Sequence, residues 1–267
     1  MNFQAKDHTF AVCAYKESPY LRECIESLLQ QTVKTKIIMT TSTDNAYIRS
    51  IANEYQLPLF VNDGEGGIAN DWNYAYHCSD TRLVTLAHQD DRYHSNYVKD
   101  MLEKVNRAKH PLIYFTGYHE LRNGEIVEKS TMLWVKRTML IPLQVRAFHG
   151  IKFFKRSVIA MGNPVSCWSV AYVKDNLPET VFESDFRSNL DWEEWEKLSR
   201  DKGEFVYSKK PLTYHRVHEG SETSNTINNG NIRGQEDYAM FLKFWPKWIA
   251  RFIMRFYIKG EKLNEVN

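Results

Sequence analysis

Apolar and polar positions alternate in a regular way along the first third of the chain. Short apolar runs, rich in β-branched residues, occupy residues 9–14, 36–40, 57–61 and 83–88. Each run has the length of a strand that is buried on both faces of a parallel sheet. Between the runs, apolar residues recur at helical spacing. This alternation predicts an α/β protein with a Rossmann-like, mostly parallel sheet and right-handed crossovers.

Polar segments between these elements predict where helices begin. Ser18-Pro19 offers a capping serine followed by a proline at the first helical position. Residues 41–44 can cap a second helix that runs to residue 55, and a third helix is expected over 68–77. Gly66-Gly67 precedes that third helix and is either a simple turn or a set of backbone amides that hold a phosphate or ribose. It does not form the Gly-x-Gly-x-x-Gly fingerprint of dinucleotide-binding proteins.

The pattern beyond residue 92 is less regular. It predicts a helix over 93–108, a strand over 111–118, a hairpin turn at Asn123-Gly124, a short helix over 152–161, a strand over 166–173, a helix over 190–202, short strands over 204–207 and 212–215, a polar loop over 216–230, and two final helices over 232–244 and 246–259. We therefore divide the chain into a domain over 1–230, whose halves meet near residue 118, and a C-terminal helical extension over 231–267.

Composition excludes several classes of protein. A formal net charge of +2 gives no reason to expect a nucleic-acid partner. The four cysteines lie far apart without a Cys-x-x-Cys pair, which disfavours a zinc site or a disulfide framework and fits a reducing cytoplasm. The first residues are too polar for a signal peptide, and no apolar run is long enough to span a bilayer. We expect a cytoplasmic globular protein.

Candidate chemistry lies where the run at 83–88 stops, at His88-Gln89-Asp90-Asp91. In open α/β sheets, ligands bind beyond the carboxyl ends of the strands. Two carboxylates and an imidazole suit a divalent cation that prefers oxygen ligands and shares a ligand's phosphates. The alternative is a solvated loop between a strand and a helix, in which an Asp caps the helix.

Together, the motifs resemble those of the family-2 glycosyltransferases, which have the GT-A fold, over at least residues 9–220. The segment 12–17 is similar to the first strand and nucleotide-contacting turn of the family, and Ser42-Thr43-Asp44 to the end of its second strand. His88-Gln89-Asp90-Asp91 stands where the family has its Asp-x-Asp metal motif. Residues 190–195 resemble the acidic helix that supplies the catalytic base, and Arg216-Val217-His218 a loop that closes over the donor pyrophosphate.

The resemblance implies an inverting transfer of a hexose or N-acetylhexosamine from a UDP-sugar to a hydroxyl of a saccharide or lipid-linked saccharide, in bacterial cell-surface glycan synthesis. It implies a Mn or Mg ion held by Asp90 and Asp91. The implied donor-binding residues are Ala14, Tyr15, Glu17, Thr41, Asp44, Gly67, Asn70, His88, Gln89, Arg216 and His218.

Two departures from the family pattern concern the donor. His88 takes the place of the first Asp of the metal motif, which leaves Asp90 as the main metal ligand. His88 can bind manganese or contact the ribose. Thr40 and Thr41 stand where family members often hold uracil with an Asp, so recognition of uridine would rely on hydroxyls and backbone.

On the acceptor side, the resemblance assigns the catalytic base to Asp191, with Glu194 as the alternative because it lies three residues on and shares a helix face. Asp191 is also well placed to be a plain helix cap. Trp168 and Trp192 are candidate acceptor-binding residues, and for both the alternative is burial in the core.

The C-terminal stretch carries a separate signal. A basic stripe repeats every fourth residue, and aromatic and aliphatic residues occupy roughly the opposite helical face: Lys243, Lys247, Arg251, Arg255 and Lys259 against Trp245, Trp248, Ile249, Phe252, Ile253 and Phe256. Residues 241–259 are thus expected to contact a membrane surface at the inner face of the cell membrane. The alternative is a helix docked on the catalytic domain with its lysines in water.

Two rival functions have different requirements. A sugar-nucleotide pyrophosphorylase shares a Rossmann-like sheet and metal carboxylates, but opens with a Gly-rich, Arg-containing loop that Tyr15-Lys16-Glu17 does not match. A non-catalytic nucleotide- or carbohydrate-binding module needs neither Asp90 nor Asp191. The presence of both carboxylates favours the transferase.

Overall fold

The computed structural model describes residues 2–183, 185–218 and 231–262. Within these ranges, nine strands form one sheet in the order β3-β2-β1-β4-β8-β6-β9-β5, with β7 paired to β6. The strands are β1 His8–Ala14, β2 Lys36–Thr41, β3 Leu59–Val61, β4 Leu83–His88, β5 Arg92–Tyr93, β6 Pro111–Arg122, β7 Glu125–Val127, β8 Ala171–Val173 and β9 Glu204–Val217.

Helices cover both faces of this sheet. They are α1 Leu21–Leu29, α2 Ala46–Glu54, α3 Ile68–Cys78, α4 Tyr97–Arg107, α5 Thr131–Met139, α6 Lys152–Ile159, α7 Leu190–Arg200, α8 Asn231–Leu242 and α9 Lys247–Lys262. Side chains of β1 alternate between two hydrophobic clusters, because successive residues of a strand point to opposite faces. Phe10 and Val12 pack with α1, α2 and α4. Ala11 belongs to the cluster that α3, α6, α7, α8 and α9 complete.

The first four strands have the predicted parallel arrangement. β1 pairs in parallel with β2 and β4, and β2 pairs in parallel with β3. The carboxyl ends of these strands therefore meet at one edge of the sheet. The strand predicted over 166–173 is present as the shorter strand β8, but its antiparallel pairing between β4 and β6 was not predicted, because a periodic pattern does not indicate the direction of a strand or its neighbours.

Two predicted helix starts are wrong. Helix α1 begins at Leu21 rather than at Pro19, and the Ser18 hydroxyl, expected to cap the helix, donates a hydrogen bond to Asp90 Oδ1 at 2.5 Å. Helix α2 is capped by Asn45, whose side chain accepts from the Ile48 amide at 2.9 Å, and not by residues 41–44. In both places, polar residues expected to cap a helix serve the edge of the sheet instead.

Strand boundaries also differ from the prediction. Trp168 lies in a short 3-10 turn, Cys167–Ser169, because only Ala171–Val173 forms a strand. The two short strands expected over 204–207 and 212–215 are one bent strand, β9, which shifts register opposite Gly117. A Cβ atom at Gly117 would lie 3.2 Å from the Lys209 carbonyl oxygen, so the irregularity needs a glycine there.

Further along the chain, some elements agree with the prediction and others do not. The hairpin turn is confirmed, with positive φ angles of 50° at Asn123 and 83° at Gly124. The helix expected over 93–108 begins only at Tyr97, since Arg92 and Tyr93 pair with β9. Arg216 lies in β9 rather than in a loop, and the remainder of the predicted loop, 219–230, lies outside the described residues.

Candidate active site

Side chains tie the carboxyl ends of β1, β2 and β4 together. The Gln89 side chain bonds the Tyr15 backbone in both directions, accepting from its amide at 3.0 Å and donating to its carbonyl at 2.9 Å. The Lys16 amide donates to Thr43 Oγ1 at 2.5 Å, and Lys16 adopts a positive φ of 53° to do so. These contacts place the predicted donor-binding turns side by side.

The two adjacent carboxylates of the turn after β4 have different environments. Asp90 is 28% exposed; its Oδ1 accepts from Ser18, and its Oδ2 lies 3.4 Å from His218 Nε2. Asp91 is only 2% exposed, and its Oδ1 accepts from the Arg216 amide and from His215 Nδ1, both at 3.0 Å. Asp90 therefore faces the open edge of the sheet, whereas Asp91 fastens β9 to the turn.

His88 is enclosed by aromatic rings at the same edge. Its imidazole stacks on Trp72 at 5.1 Å between centroids and meets Trp168 edge-on at 6.1 Å. Burial lowers the pKa of His88, so the ring is neutral near pH 7. Among the described residues, neither His88 Nε2 nor Trp168 Nε1 has a hydrogen-bond partner. Because buried polar atoms normally have partners, these two nitrogens indicate a place for a ligand or water.

The side chains at this edge can hold a divalent cation only if a bound ligand supplies further oxygen atoms. Within the described ranges, no group of three or more His, Cys, Asp or Glu side chains is arranged to hold a metal. Asp90 and His218 offer one carboxylate and one imidazole close together. Mg²⁺ and related ions are commonly held by one or two carboxylates plus substrate phosphates, so two protein ligands at this edge are sufficient chemistry for such a site.

Arg216 braces the turn that carries Asp90. Its guanidinium pairs with Glu23, lies 4.1 Å above the Tyr20 ring, and donates from Nε to the Asp90 carbonyl at 3.0 Å. Arg216 itself is buried. Its predicted contact with the donor diphosphate stays a prediction, and the bracing contact is the one that the structure contains.

The turns near β2 and α3 add a carboxylate that sequence reasoning did not select. Asp71, in the first turn of α3, accepts from Ser42 Oγ at 2.8 Å and from Asn62 Nδ2 at 3.0 Å. It is thus held over the ends of β2 and β3. A cavity of about 300 Å³ opens beside it, lined by Asn62, Glu65, Asn70, Asn73, Tyr74 and His77. The only sequence signal for Asp71 was its position after the glycine pair.

The other predicted donor-binding residues surround these turns. Gly67 precedes α3 with a φ of 131°, and its carbonyl accepts from the Asp71 amide at 2.8 Å. Buried Thr41 ends β2, and its hydroxyl accepts from the Thr43 amide at 3.0 Å. Four more have the following places: Ala14 is the buried end of β1, Tyr15 and Glu17 are exposed beyond it, and Asp44 pairs with Arg49.

The predicted base, Asp191, lies in the first turn of α7, and each of its carboxylate oxygens accepts a hydrogen bond. Oδ1 accepts from the Trp192 amide at 2.7 Å, and Oδ2 accepts from Asn163 Nδ2 at 2.8 Å. Burial raises the pKa of Asp191, opposed by these hydrogen bonds and by the positive charges of Lys136 and Arg233. Asn163 is a site residue that the sequence did not reveal, and its Oδ1 has no partner among the described residues.

Cys167 lies near both Asp191 and the turn after β4. Burial first, and then the charge of Asp191, raise the pKa of the Cys167 thiol, with a further contribution from Asp91. Cys167 precedes Trp168, whose ring stacks on His215 at 3.9 Å. The structure therefore brings Asp191, Trp168 and the Asp90–Asp91 turn into one region.

Two residues predicted for the acceptor side, Trp192 and Glu194, are buried. Trp192 is 0% exposed, donates from Nε1 to the Ile159 carbonyl at 2.9 Å, and packs against Phe241. A side chain without exposed surface cannot stack on an acceptor sugar, so Trp192 belongs to the core instead. Glu194, the alternative base, is also buried, and burial raises its pKa to about 8.

Comparison with known proteins gives a family and a set of similar structures. The model of "Glycosyl transferase family 2" matches residues 9–164. A search of curated proteins gives no match. Residues 1–349 of Staphylococcus aureus TarS, crystallised with UDP-GlcNAc, superpose with a TM-score of 0.62 at 16% identity, covering 93% of this chain and 70% of that one. The same fragment crystallised with UDP gives 0.56 at 13% identity, with 93% and 69% covered.

Proposed function

The chain belongs to glycosyl transferase family 2 and has the GT-A fold, and from this premise we propose that it transfers a sugar from a UDP-sugar to an acceptor hydroxyl with inversion at the anomeric carbon. One observation carries the proposal. The partly exposed Asp90 carboxylate lies at the carboxyl edge of the sheet, near two buried nitrogens, of His88 and Trp168, that have no hydrogen-bond partner among the described residues. Such an edge is where open α/β sheets bind nucleotides.

We assign the donor diphosphate to this edge. Asp90 and His218 would hold a Mn or Mg ion together with diphosphate oxygens, which explains why a protein cluster of three ligands is not needed. When bound, that cation acts as a Lewis acid that offsets negative charge on the leaving diphosphate. Asp91 and Arg216 hold the turn in place, and we therefore propose Asp90 rather than Asp91 as the metal ligand.

Asp191 is the proposed base. In its ionised form it accepts the acceptor hydroxyl's proton, while Asn163 and the Trp192 amide fix the direction of its oxygens. Attack in line with the leaving diphosphate, without a covalent intermediate, gives inversion. Glu194 is less suited, because a carboxyl with a pKa of about 8 keeps its proton at neutral pH.

Asp71 is the proposed contact to the base of the nucleotide. Uracil presents a donor at N3–H, whereas cytosine presents an acceptor there, so a carboxylate selects uracil. Each Asp71 oxygen accepts one hydrogen bond, from Ser42 or from Asn62, and keeps a second lone pair. Asp71 thus supplies from α3 the carboxylate that Thr40 and Thr41 do not provide.

A donor panel tests the function. We expect the protein, with Mn²⁺ and a set of saccharide acceptors, to release nucleotide from UDP-sugars but not from CDP- or GDP-sugars. The Asp71→Asn variant, whose amide can donate to cytosine N3, should lose about tenfold or more of that preference, the scale of one charged hydrogen bond. Formation of UDP-sugar from UTP and a sugar phosphate would favour a pyrophosphorylase, and release from no donor at all would contradict the proposal.

The C-terminal helix supports a proposal about location. Its inner face, including Ala250 and Ile253, is buried against the catalytic core, so the helix is docked there. Trp248 and Phe252, one turn apart, are 73% and 59% exposed. Only part of the aromatic and aliphatic face expected from the sequence is therefore exposed, because Ile253 is buried. The side chains of Phe256 and Lys259 are not among the described ones.

We propose that this outward face lies on an anionic membrane surface. Lys247, Arg251 and Arg255 are exposed beside Trp248 and Phe252, which is the composition of an interfacial helix. In the part of the chain that the structure describes, no helix has both the length and the apolar character needed to cross a bilayer. The lipid-linked class of acceptor proposed from the resemblance would be reached at such a surface.

Vesicle sedimentation tests the membrane contact. We expect the protein to bind vesicles that contain phosphatidylserine at low salt and to dissociate at high salt, since each basic residue near an anionic leaflet contributes about 1 kcal/mol. The double change Trp248→Ser, Phe252→Ser should weaken binding, whereas Ile126→Ser on the exposed β6–β7 hairpin should not. Equal sedimentation with and without anionic lipid would show that α9 is only a packing element.

A further inference from the structure

Helix α7, which carries Asp191, does not cap its own start. Asn189 is at the N-cap position, but its side chain makes no cap hydrogen bond and donates instead to Asp237 Oδ1 at 2.8 Å. The amides before the helix point to Glu236 of α8. Oε1 accepts from Arg187 at 2.7 Å, and Oε2 accepts from Ser188 at 2.9 Å and Asn189 at 3.1 Å.

This arrangement differs from the starts of helices α2 and α5. Helices α2 and α5 use a local residue, Asn45 or Ser130, whose side chain accepts from an amide three positions on. At α7, the acceptor comes from an element 47 to 49 residues away in sequence. Glu236 also accepts from the Ser188 hydroxyl at 2.6 Å. A buried carboxylate that accepts four hydrogen bonds is a charge-assisted and strongly directional contact.

The residues that this contact fixes lead directly to Asp191. Asn189 is two positions before it, and the Asp191 oxygens are in turn held by Asn163 and the Trp192 amide at 2.8 and 2.7 Å. A shift of the 187–189 turn would therefore move the Asp191 carboxylate relative to the strand edge. A misplacement of about 1 Å at a reacting group can cost about a hundredfold in rate.

Other contacts of the C-terminal helices reach the same turn. Lys243, just beyond α8, pairs with Glu193, and Arg233 is close enough to Asp191 to lower its pKa. Met240 and Phe241 are fully buried in the cluster that includes Trp192. Helix α8 is thus built into the region of the base rather than attached to its outside.

We propose that Glu236 and Asp237 are positioning residues for sugar transfer, which hold the turn before α7 so that Asp191 meets the acceptor hydroxyl. The inference rests on the proposed role of Asp191 and adds that α8, part of the segment 231–267, belongs to the catalytic machinery. This role requires no contact between either carboxylate and substrate. Glu236 satisfies backbone amides, and Asp237 holds Asn189 away from an ordinary cap geometry.

The test is Glu236→Gln in the full-length protein. The amide keeps one acceptor oxygen and replaces the other with an NH₂ group that faces backbone donors. We expect kcat to fall by about ten- to a hundredfold, with UDP affinity in the presence of Mn²⁺ unchanged. The matched control is Glu196→Gln, which alters a buried carboxylate of α7, the helix that carries Asp191; Glu196 pairs with Arg156 and Arg200 rather than with the turn before the helix. This control should lower thermal stability without a comparable loss of kcat.

The pH profile gives a readout that a purely structural role would not move. Asp191 is faced by Lys136 of α5, Arg233 of α8, Asn163 and the Cys167 thiol, and burial dominates the shift of its pKa. Loosening the turn admits water, so the acid limb of kcat should move to lower pH in Glu236→Gln. If that variant folds too poorly to assay, Glu236→Asp, which keeps the charge on a shorter side chain, should show the same direction with a smaller loss.

Two results would overturn the inference. One is an unchanged kcat and acid limb in Glu236→Gln; the other is an equal kcat loss in Glu196→Gln. Failure of the underlying proposal is distinguishable, because in that case Asp191→Asn would itself retain turnover. If Asp191→Asn is inactive while Glu236→Gln is fully active, only the positioning role is lost.

Discussion

Replacing Asp191 with Asn should lower turnover by about a hundredfold or more while leaving UDP affinity nearly intact. The change keeps the shape of the side chain and the hydrogen bond from Asn163, but removes the oxygen that accepts the acceptor's proton. A hundredfold loss corresponds to about 2.7 kcal/mol of transition-state stabilisation, the usual scale for a general base. Steady-state kinetics with saturating donor, alongside UDP titration, make the measurement.

The pH dependence follows from the same residue. A base must be ionised to act, and burial raises the pKa of Asp191. Turnover should therefore fall as the pH drops through a value above about 3.9, the ordinary pKa of an aspartate. This acid limb should be visible in kcat of the wild-type protein and absent from the residual activity of Asp191→Asn.

The control for this prediction is Glu194→Gln. Because the Glu194 carboxyl keeps its proton near neutral pH, with a pKa of about 8, its amide analogue should change turnover little. If Asp191→Asn turns over at nearly the wild-type rate and Glu194→Gln does not, the base is Glu194. If both variants retain full turnover, the base mechanism is wrong.

Replacing Asp90 with Ala should abolish the part of UDP affinity that depends on Mn²⁺. Asp90 is the partly exposed carboxylate of the turn after β4 and lies next to His218. Its loss leaves only the His218 imidazole as a protein ligand and removes the negative carboxylate charge that attracts a divalent cation. We expect UDP affinity with Mn²⁺ to fall about tenfold or more, toward the affinity measured without metal, which isothermal titration can follow. A tenfold change is about 1.4 kcal/mol.

A carboxylate at the opposite end of the same strand is the control. Asp80 precedes β4, is largely exposed, and pairs with Lys36. The Asp80→Ala variant should bind UDP and Mn²⁺ like the wild type. If Asp90→Ala keeps its metal-dependent UDP affinity, Asp90 is not the metal ligand, and Asp91 becomes the candidate.

The sequence by itself determined the architecture of the donor half. Apolar runs of strand length separated by helical stretches allow few arrangements, because parallel strands need crossovers of one hand. The ends of β1, β2 and β4 therefore had to meet at one edge, as they do. The family motifs at 12–17, 42–44 and 88–91 lie along this chain order, which is why the family could be predicted from residues alone, and the match over 9–164 confirms the family.

Only the tertiary structure decided what neighbouring residues do. Asp90 and Asp91 are adjacent and chemically identical, yet one faces the open edge and the other binds the backbone of β9, 125 residues away. By sequence, Trp168 and Trp192 had the same two alternatives, acceptor binding or burial in the core. In the structure, Trp168 lies beside His88, whereas Trp192 is buried against Phe241 of α8. Periodicity indicates which face of an element is buried, but not which distant element covers it.

The start of α7 shows the same limit most clearly. The sequence predicted the helix and its acidic first turn, since both follow from local pattern. The turn before it is held by Glu236 and Asp237, which no spacing rule connects to residue 191. Local pattern decides where a helix can form, whereas long-range packing decides which partner holds the turn before it and so where its first carboxylate points.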